Sequence, residues 1–274
     1  MNQDIVFIGA GNMAGALIGG LIADGMAPER LLAADPSAGQ CAALSAATGI
    51  RTLSDNLAAA AGAGTLVLAV KPQVLAGVAR ELAAVVQEHR PLVISIAAGI
   101  RCDSLQSWLG GNVPLVRAMP NTPALVQSGA TALYATPGVS ASQREQAESL
   151  LRAVGITCWL PDEALMDVVT ALSGSGPAYF FLVMEALEAA AGAMGLDRAT
   201  AHLLTLQTAL GAARMALESS DPPGVLRARV TSPGGTTEKA IGVLEDGGLE
   251  ALLARALEAA RARSVELSRD LGGS

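Results

Sequence analysis

The chain has 274 residues, enough for two domains, and a formal net charge of −7 from 18 basic and 25 acidic side chains. That balance, with no basic patch, argues against nucleic acid as a partner. Hydrophobic residues make up 51% of the chain but aromatics only 3%, so the core has to come from Ala, Leu, Val and Ile in closely packed helices. Three scattered cysteines, Cys41, Cys102 and Cys158, lack metal-ligand spacing; no metal is expected, and they suit a reducing, cytoplasmic setting. The sequence enters a strand at once, without the pattern of a secretory leader. Its long apolar run, residues 178–194, contains Glu185 and Glu188 and reads as a buried helix, not a membrane span.

In chain order, a short apolar strand over residues 5–8 leads directly into Gly9-Ala10-Gly11-Asn12-Met13-Ala14. This is the G-x-G-x-x-A form of the dinucleotide fingerprint: a tight turn, backbone access to a pyrophosphate, then close helix packing. Leu17, Leu21 and Ile22 continue it at helical spacing. A strand over 31–34 ends at Asp35, placed where an acid can accept the ribose hydroxyls of NAD; no cation follows until Arg51, so electrostatics leans towards NADH. The alternative is that Asp35 only opens the Asp35-Pro36-Ser37 turn.

A third strand over 66–70 includes Ala69 and ends at Lys71-Pro72. Lys71 and Lys239 are the only lysines in the chain, and ligands of doubly wound sheets bind beyond the carboxyl ends of the strands, so Lys71 is expected to face the cofactor. Asn56, beside the Ser54-Asp55 helix cap, is a further candidate, with capping as its simpler role. Strands over 92–96, 113–118, 129–135 and 156–160, with a helix over 141–154, complete the α/β pattern; Ala97-Ala98-Gly99 follows one strand end and Met119-Pro120-Asn121-Thr122-Pro123 another. From about residue 161 only helical patterns remain, over 177–194, 198–217, 238–244 and 249–271. The expected fold is therefore an α/β Rossmann-like N-terminal domain, residues 1–161, followed by an all-α C-terminal dimerisation domain, residues 162–274. Helices apolar nearly all round lie in large cores or between subunits, which makes an intertwined homodimer the expected assembly.

The late stretch Thr231-Ser232-Pro233-Gly234-Gly235-Thr236-Thr237 reads as a helix start with Ser232 as N-cap and Pro233 in the first turn. Its glycines and free N–H groups suit a carboxylate or phosphate. The two histidines, His89 and His202, read as a surface residue and a helix-packing residue, without a carboxylate partner.

The five motifs Ile8-Gly9-Ala10-Gly11-Asn12-Met13, Val70-Lys71-Pro72-Gln73, Met119-Pro120-Asn121-Thr122-Pro123, Ser173-Gly174-Ser175-Gly176-Pro177-Ala178-Tyr179 and Thr231-Ser232-Pro233-Gly234-Gly235-Thr236-Thr237 together resemble the pyrroline-5-carboxylate reductases. The resemblance implies hydride transfer from NADPH or NADH to a cyclic imine bearing a carboxylate, in a homodimer or a decamer of five dimers. A protonated imine is already electrophilic, so positioning and carboxylate binding are the enzyme's main tasks. By resemblance, Ser232, Gly234, Gly235, Thr236 and Thr237 would bind substrate, and Thr237, the catalytic candidate, would serve the nitrogen as hydrogen-bond donor or proton relay, with a water as the alternative proton donor. Gly9, Gly11, Asn12, Met13, Asp35, Asn56, Ala69, Lys71, Pro72, Ala97 and Gly99 would bind the cofactor. The family often uses NADPH, a habit that Asp35 opposes. A β-hydroxyacid dehydrogenase is the nearest enzyme alternative, but that family draws a lysine from its second domain and the helix after Pro177 has none. A non-catalytic NAD(P) sensor is the other alternative.

Overall fold

The structure is a computed structural model and describes residues 4–272. The chain divides into two compact units, one running to Ser175 and taking back the chain from Ala259, the other Gly176–Glu258.

The first unit is built on β1 (Asp4–Ile8), α1 (Asn12–Ala23), β2 (Leu31–Ala34), α2 (Ala38–Thr48), β3 (Arg51–Leu53), α3 (Asn56–Ala60), β4 (Ala63–Leu68) and α4 (Pro72–His89). It continues with β5 (Leu92–Ser95), α5 (Cys102–Trp108), β6 (Leu115–Met119), β7 (Gly129–Ala135), α6 (Ala141–Arg152), β8 (Gly155–Trp159) and the short α7 (Leu165–Val169). The strands form one eight-stranded sheet in the order β3-β2-β1-β4-β5-β6-β7-β8. All pairs are parallel except β6 with β7.

Both sheet faces are covered, which is why the central strands are apolar without alternation. Ile5 and Phe7 of β1 point to the face carrying Leu17, Ile18 and Leu21 of α1 and Leu150 and Leu151 of α6. Val6 and Ile8 point to the other face, with Leu75 and Leu82 of α4 and Leu105 of α5. The sequence pattern did not reveal β3, a three-residue edge strand, Arg-Thr-Leu, with Arg51 and Leu53 exposed.

One buried ion pair braces β6: Arg117, 3% exposed, reaches Glu163 at 2.8 Å. The same Glu163 oxygen accepts the Cys102 N–H at 2.8 Å. Burial and the Glu163 carboxylate push the Cys102 thiol up, so it stays protonated, and all three cysteines are free.

The second unit holds α8 (Gly176–Ala193), α9 (Arg198–Glu218), α10 (Pro223–Arg229) and α11 (Thr236–Asp246), and begins α12 (Leu249–Gly272). The later turns of α12 belong to the first unit, where Ser264 donates to the buried Asp167 at 2.7 Å and Leu267 covers Gly99. The structure narrows one expectation and corrects another. The apolar run of α8 is not buried within the chain: Phe180, Phe181 and Leu182 are 68%, 65% and 65% exposed. Residues Leu165–Ala193 are long and apolar enough to cross a membrane by length and composition alone, with 22% of the most apolar window buried. His202, in turn, does have a carboxylate partner: its Nδ1 lies 2.9 Å from Glu188, tying α9 to α8 at an exposed position.

Candidate active site

In the first unit, the parallel strands bring their carboxyl ends to one edge, and the order reverses between β1 and β4. That reversal is where doubly wound sheets bind ligands. Gly9 follows β1 with φ +108°, and a Cβ there would stand 2.7 Å from the Ala69 carbonyl oxygen, so only glycine lets β1 run this close to the end of β4. Gly11 is the N-cap of α1, with no side chain capping the helix and open space where its Cβ would be. The N–H groups at the start of α1, at Asn12 and Met13, therefore have no intrahelical acceptor and face a site open to a phosphate.

Asp35 stands at the same edge, after β2. Its Oδ2 accepts the Ala10 N–H and its Oδ1 the Ser37 N–H, each at 2.9 Å. The carboxylate thus ties the β2–α2 turn to the middle of the glycine fingerprint and puts a negative charge beside it. Ala69 follows β4, Lys71 is the exposed N-cap of α4 and Pro72 its first residue. A groove of about 870 Å³ touches Ala10, Gly11, Asn12 and Lys71 before running along α1 to Gly20.

Asn56 opens α3, whose N-cap is Asp55; the Asp55 carboxylate accepts the Leu57 and Ala58 N–H groups. That leaves Asn56 free of the capping duty, and its Oδ1 is buried without a hydrogen-bond partner. Ala97 and Gly99 follow β5 at the same edge but are buried, Gly99 beneath Leu267. The open α1 terminus, the cradle at Gly11 and the orphaned Asn56 oxygen fit a dinucleotide.

A feature the sequence motifs did not disclose joins two of them. The Asn121 side chain accepts the Ala130 N–H at 2.9 Å and donates to the Ser173 carbonyl at 3.1 Å. It thereby links the Met119–Pro123 turn to a π-helical turn, Thr170–Gly174, that ends the first unit. Such turns recur at functional sites.

In the second unit, α11 opens at Thr236, two residues before the expected run over 238–244, but its cap lies later than the expected Ser232. Its N-cap is Gly235 and its first residues are Thr236 and Thr237, so Ser232 is not the cap and Pro233 is not helical. Ser232-Pro233-Gly234-Gly235 is a turn closed by Gly235 N–H to the Ser232 carbonyl at 3.0 Å, with Gly234 at φ +74°. Proline followed by a positive-φ glycine is the type II pattern, and that glycine conformation stops a helix from starting earlier. The Gly234 N–H is taken by the Glu238 carboxylate at 2.8 Å. The N–H groups of Thr236 and Thr237, at the first two helical positions, have no acceptor within the helix. Thr237 is half-buried, and Ser232 is exposed. Glu238 was not singled out as a site residue, although a glutamate in the first helical turn is a recognisable capping signal. Among the described residues, no group of three or more His, Cys, Asp or Glu could hold a metal ion.

Fold and turn chemistry define a dinucleotide-binding α/β protein with a helical C-terminal region. Residues 4–99 match the model of NADP oxidoreductase, coenzyme F420-dependent, and residues 163–267 match that of pyrroline-5-carboxylate reductase dimerisation. The chain is 54% identical to a pyrroline-5-carboxylate reductase of Pseudomonas aeruginosa over 268 residues, covering 98% of each, and 43% identical to one of Vibrio alginolyticus, again covering 98% of each. Among solved structures, a pyrroline-5-carboxylate reductase of Coxiella burnetii matches with a TM-score of 0.94 and 48% identity, covering 98% of this chain and 99% of that one. The NADP-bound Plasmodium falciparum pyrroline carboxylate reductase matches at 0.86 and 30%, covering 97% and 98%. The chain belongs to the pyrroline-5-carboxylate reductase family. It carries that family's dimerisation domain, and the exposed apolar residues of α8 fall within it.

Proposed function

We propose that this chain is a pyrroline-5-carboxylate reductase, reducing 1-pyrroline-5-carboxylate to L-proline by direct hydride transfer, the last step of proline biosynthesis. The observation that carries this reading is the presence in one chain of two differently built anion-binding turns. One is the uncapped Gly9–Met13 turn, and the other is the Ser232–Thr237 turn with its open Thr236 and Thr237 N–H groups. The cofactor, when bound, supplies the hydride.

Gly9, Gly11, Asn12 and Met13 would hold its pyrophosphate; Asp35 and Asn56 would face its adenosine half; Ala69, Lys71, Pro72, Ala97 and Gly99 would line the nicotinamide half. Ser232, Gly234, Gly235, Thr236 and Thr237 form the substrate cradle. Within it the Thr236 and Thr237 N–H groups bind the carboxylate, while Gly234 and Gly235 shape the turn. The Thr237 hydroxyl hydrogen-bonds the ring nitrogen; an unperturbed threonine is a very weak acid, so it relays or orients a proton and does not generate one.

The division into residues 1–161 for the dinucleotide and 162–274 for substrate and dimerisation is supported by the family-model limits. Asp35 favours NADH through its charge, against the NADP named for one matching model and one matching structure. Five dimers assembled as a decamer, and a cytoplasmic location suited to three free thiols, complete the proposal.

The test is oxidation of NADH or NADPH dependent on pyrroline-5-carboxylate, with proline quantified as product. Stoichiometric proline supports the reading. No turnover with either cofactor rejects it in favour of a nucleotide sensor.

A further inference from the structure

The Ser232–Gly235 turn has little side-chain packing to hold it. Ser232, Pro233 and Gly234 are exposed, and a side chain built on Gly234 would meet nothing within 4 Å. Its shape rests on hydrogen bonds: Gly235 N–H to the Ser232 carbonyl, Thr231 Oγ1 to the Arg227 carbonyl at 2.7 Å, and Gly234 N–H to Glu238 Oε2. The last brings a side chain of the following helix onto the turn, which the Lys239 N–H to Gly235 carbonyl bond at 3.3 Å joins to the same helix. The Glu238 acceptor is charged, which strengthens its bond beyond a neutral one, and the carboxylate lies where the field of a helix N-terminus favours it. Glycine-rich backbone loses the most freedom on ordering, so a restraint at Gly234 fixes the residue that would otherwise wander most.

We propose that Glu238 is a positioning residue for the substrate carboxylate: by holding the Gly234 N–H, it fixes the turn that keeps the Thr236 and Thr237 N–H groups open to that carboxylate. This rests on the reading of Ser232–Thr237 as the substrate cradle. The clip acts before substrate arrives, so its loss falls on substrate affinity and not on the rate of the bound complex.

The experiment compares full-length wild type, Glu238→Ala and Glu238→Gln in steady-state kinetics with varied pyrroline-5-carboxylate, alongside amide hydrogen exchange of residues 231–237. Glu238→Ala should raise KM for the imine by about 3- to 30-fold while kcat and the cofactor KM stay within about twofold. Glu238→Gln, which keeps an acceptor oxygen, should recover most of the loss. Exchange in Glu238→Ala should quicken in this segment and not elsewhere. An imine KM that is unchanged overturns the proposal, and one that falls shows the carboxylate competing with substrate instead. An equal defect in Glu238→Gln also overturns it, as does a lowered kcat at constant KM with exchange quickened throughout, the mark of a purely structural role. Wild type that leaves the imine unreduced rejects the substrate reading itself; the exchange comparison then decides on the clip, and unaltered exchange at 231–237 rejects it.

Discussion

Replacing Asp35 by asparagine separates two jobs that one carboxylate performs. The first is mechanical: both oxygens accept backbone N–H groups, from Ala10 and Ser37, at 2.9 Å. Hydrogen bonds to a charged group are worth about 1.5–3 kcal/mol each, and weakening them loosens the glycine turn for either cofactor alike. That loss cancels when NADH is compared with NADPH. The second job is electrostatic and does not cancel. A 2′-phosphate carries roughly −1.5 to −2, and a unit negative charge about 6 Å away costs it about 1–2 kcal/mol at an effective dielectric of about 55–80. Asp35→Asn should therefore raise the NADPH-to-NADH ratio of kcat/KM by about 5- to 30-fold, even if both values fall. The assay is initial-rate kinetics with each cofactor at fixed, saturating imine. A ratio unchanged within about twofold, with both cofactors weakened equally, would refute the electrostatic reasoning and leave Asp35 as a tie between two turns.

Further outcomes follow from other sites. Thr237→Ala should lower kcat by about tenfold or more with the cofactor KM nearly constant, and Thr237→Ser should restore much of it; an unchanged rate removes the hydroxyl from the mechanism. Arg117→Met should cost about 3 kcal/mol in urea unfolding, because it leaves the Glu163 carboxylate without its cation in a largely buried setting; a loss below about 1 kcal/mol would contradict that account. The Trp159 indole N–H at 2.9 Å, with Arg152 and Thr157, holds the Glu148 carboxyl below the usual range. A depressed folded-state value contributes stability above the unfolded value of about 4.3 and loses it as pH falls through the folded one. The Tm gap between wild type and Glu148→Gln should thus be present at neutral pH and close on acidification below about pH 4; a gap constant with pH would count against it.

The sheet was legible because its central strands are continuous apolar runs ending in small residues, as at Phe7-Ile8-Gly9 and Val67-Leu68-Ala69. The edge strand β3 escaped that pattern: Arg51-Thr52-Leu53 buries too little to stand out from a loop. The candidate cofactor residues could be named from the fingerprint and from strand-end positions. The double engagement of Asp35 could not, because it links residues 25 positions apart through a backbone N–H that has no sequence signature. The cap of α11 was misplaced for a local reason. Ser-Pro suits a helix cap, but Pro-Gly suits a type II turn equally well, and Gly234 with φ +74° decided for the turn. Whether α8 is covered by its own chain or by another copy stayed open in the sequence, because an apolar helix reads alike in either setting. His202 and Glu188 lie 14 residues apart on two helices, a pairing that only the packing of α8 on α9 creates.

Direct hydride delivery to the imine carbon is the central claim, and isotope transfer tests it most directly. Pyrroline-5-carboxylate is reduced by the full-length protein with nicotinamide cofactor deuterated at the transferring C4 position, and the proline is analysed by mass spectrometry and NMR. The account predicts one deuterium per proline, at the ring carbon next to nitrogen that was the imine carbon. Proline formed without deuterium when each C4 face has been labelled in turn, or labelled at another carbon, would contradict it.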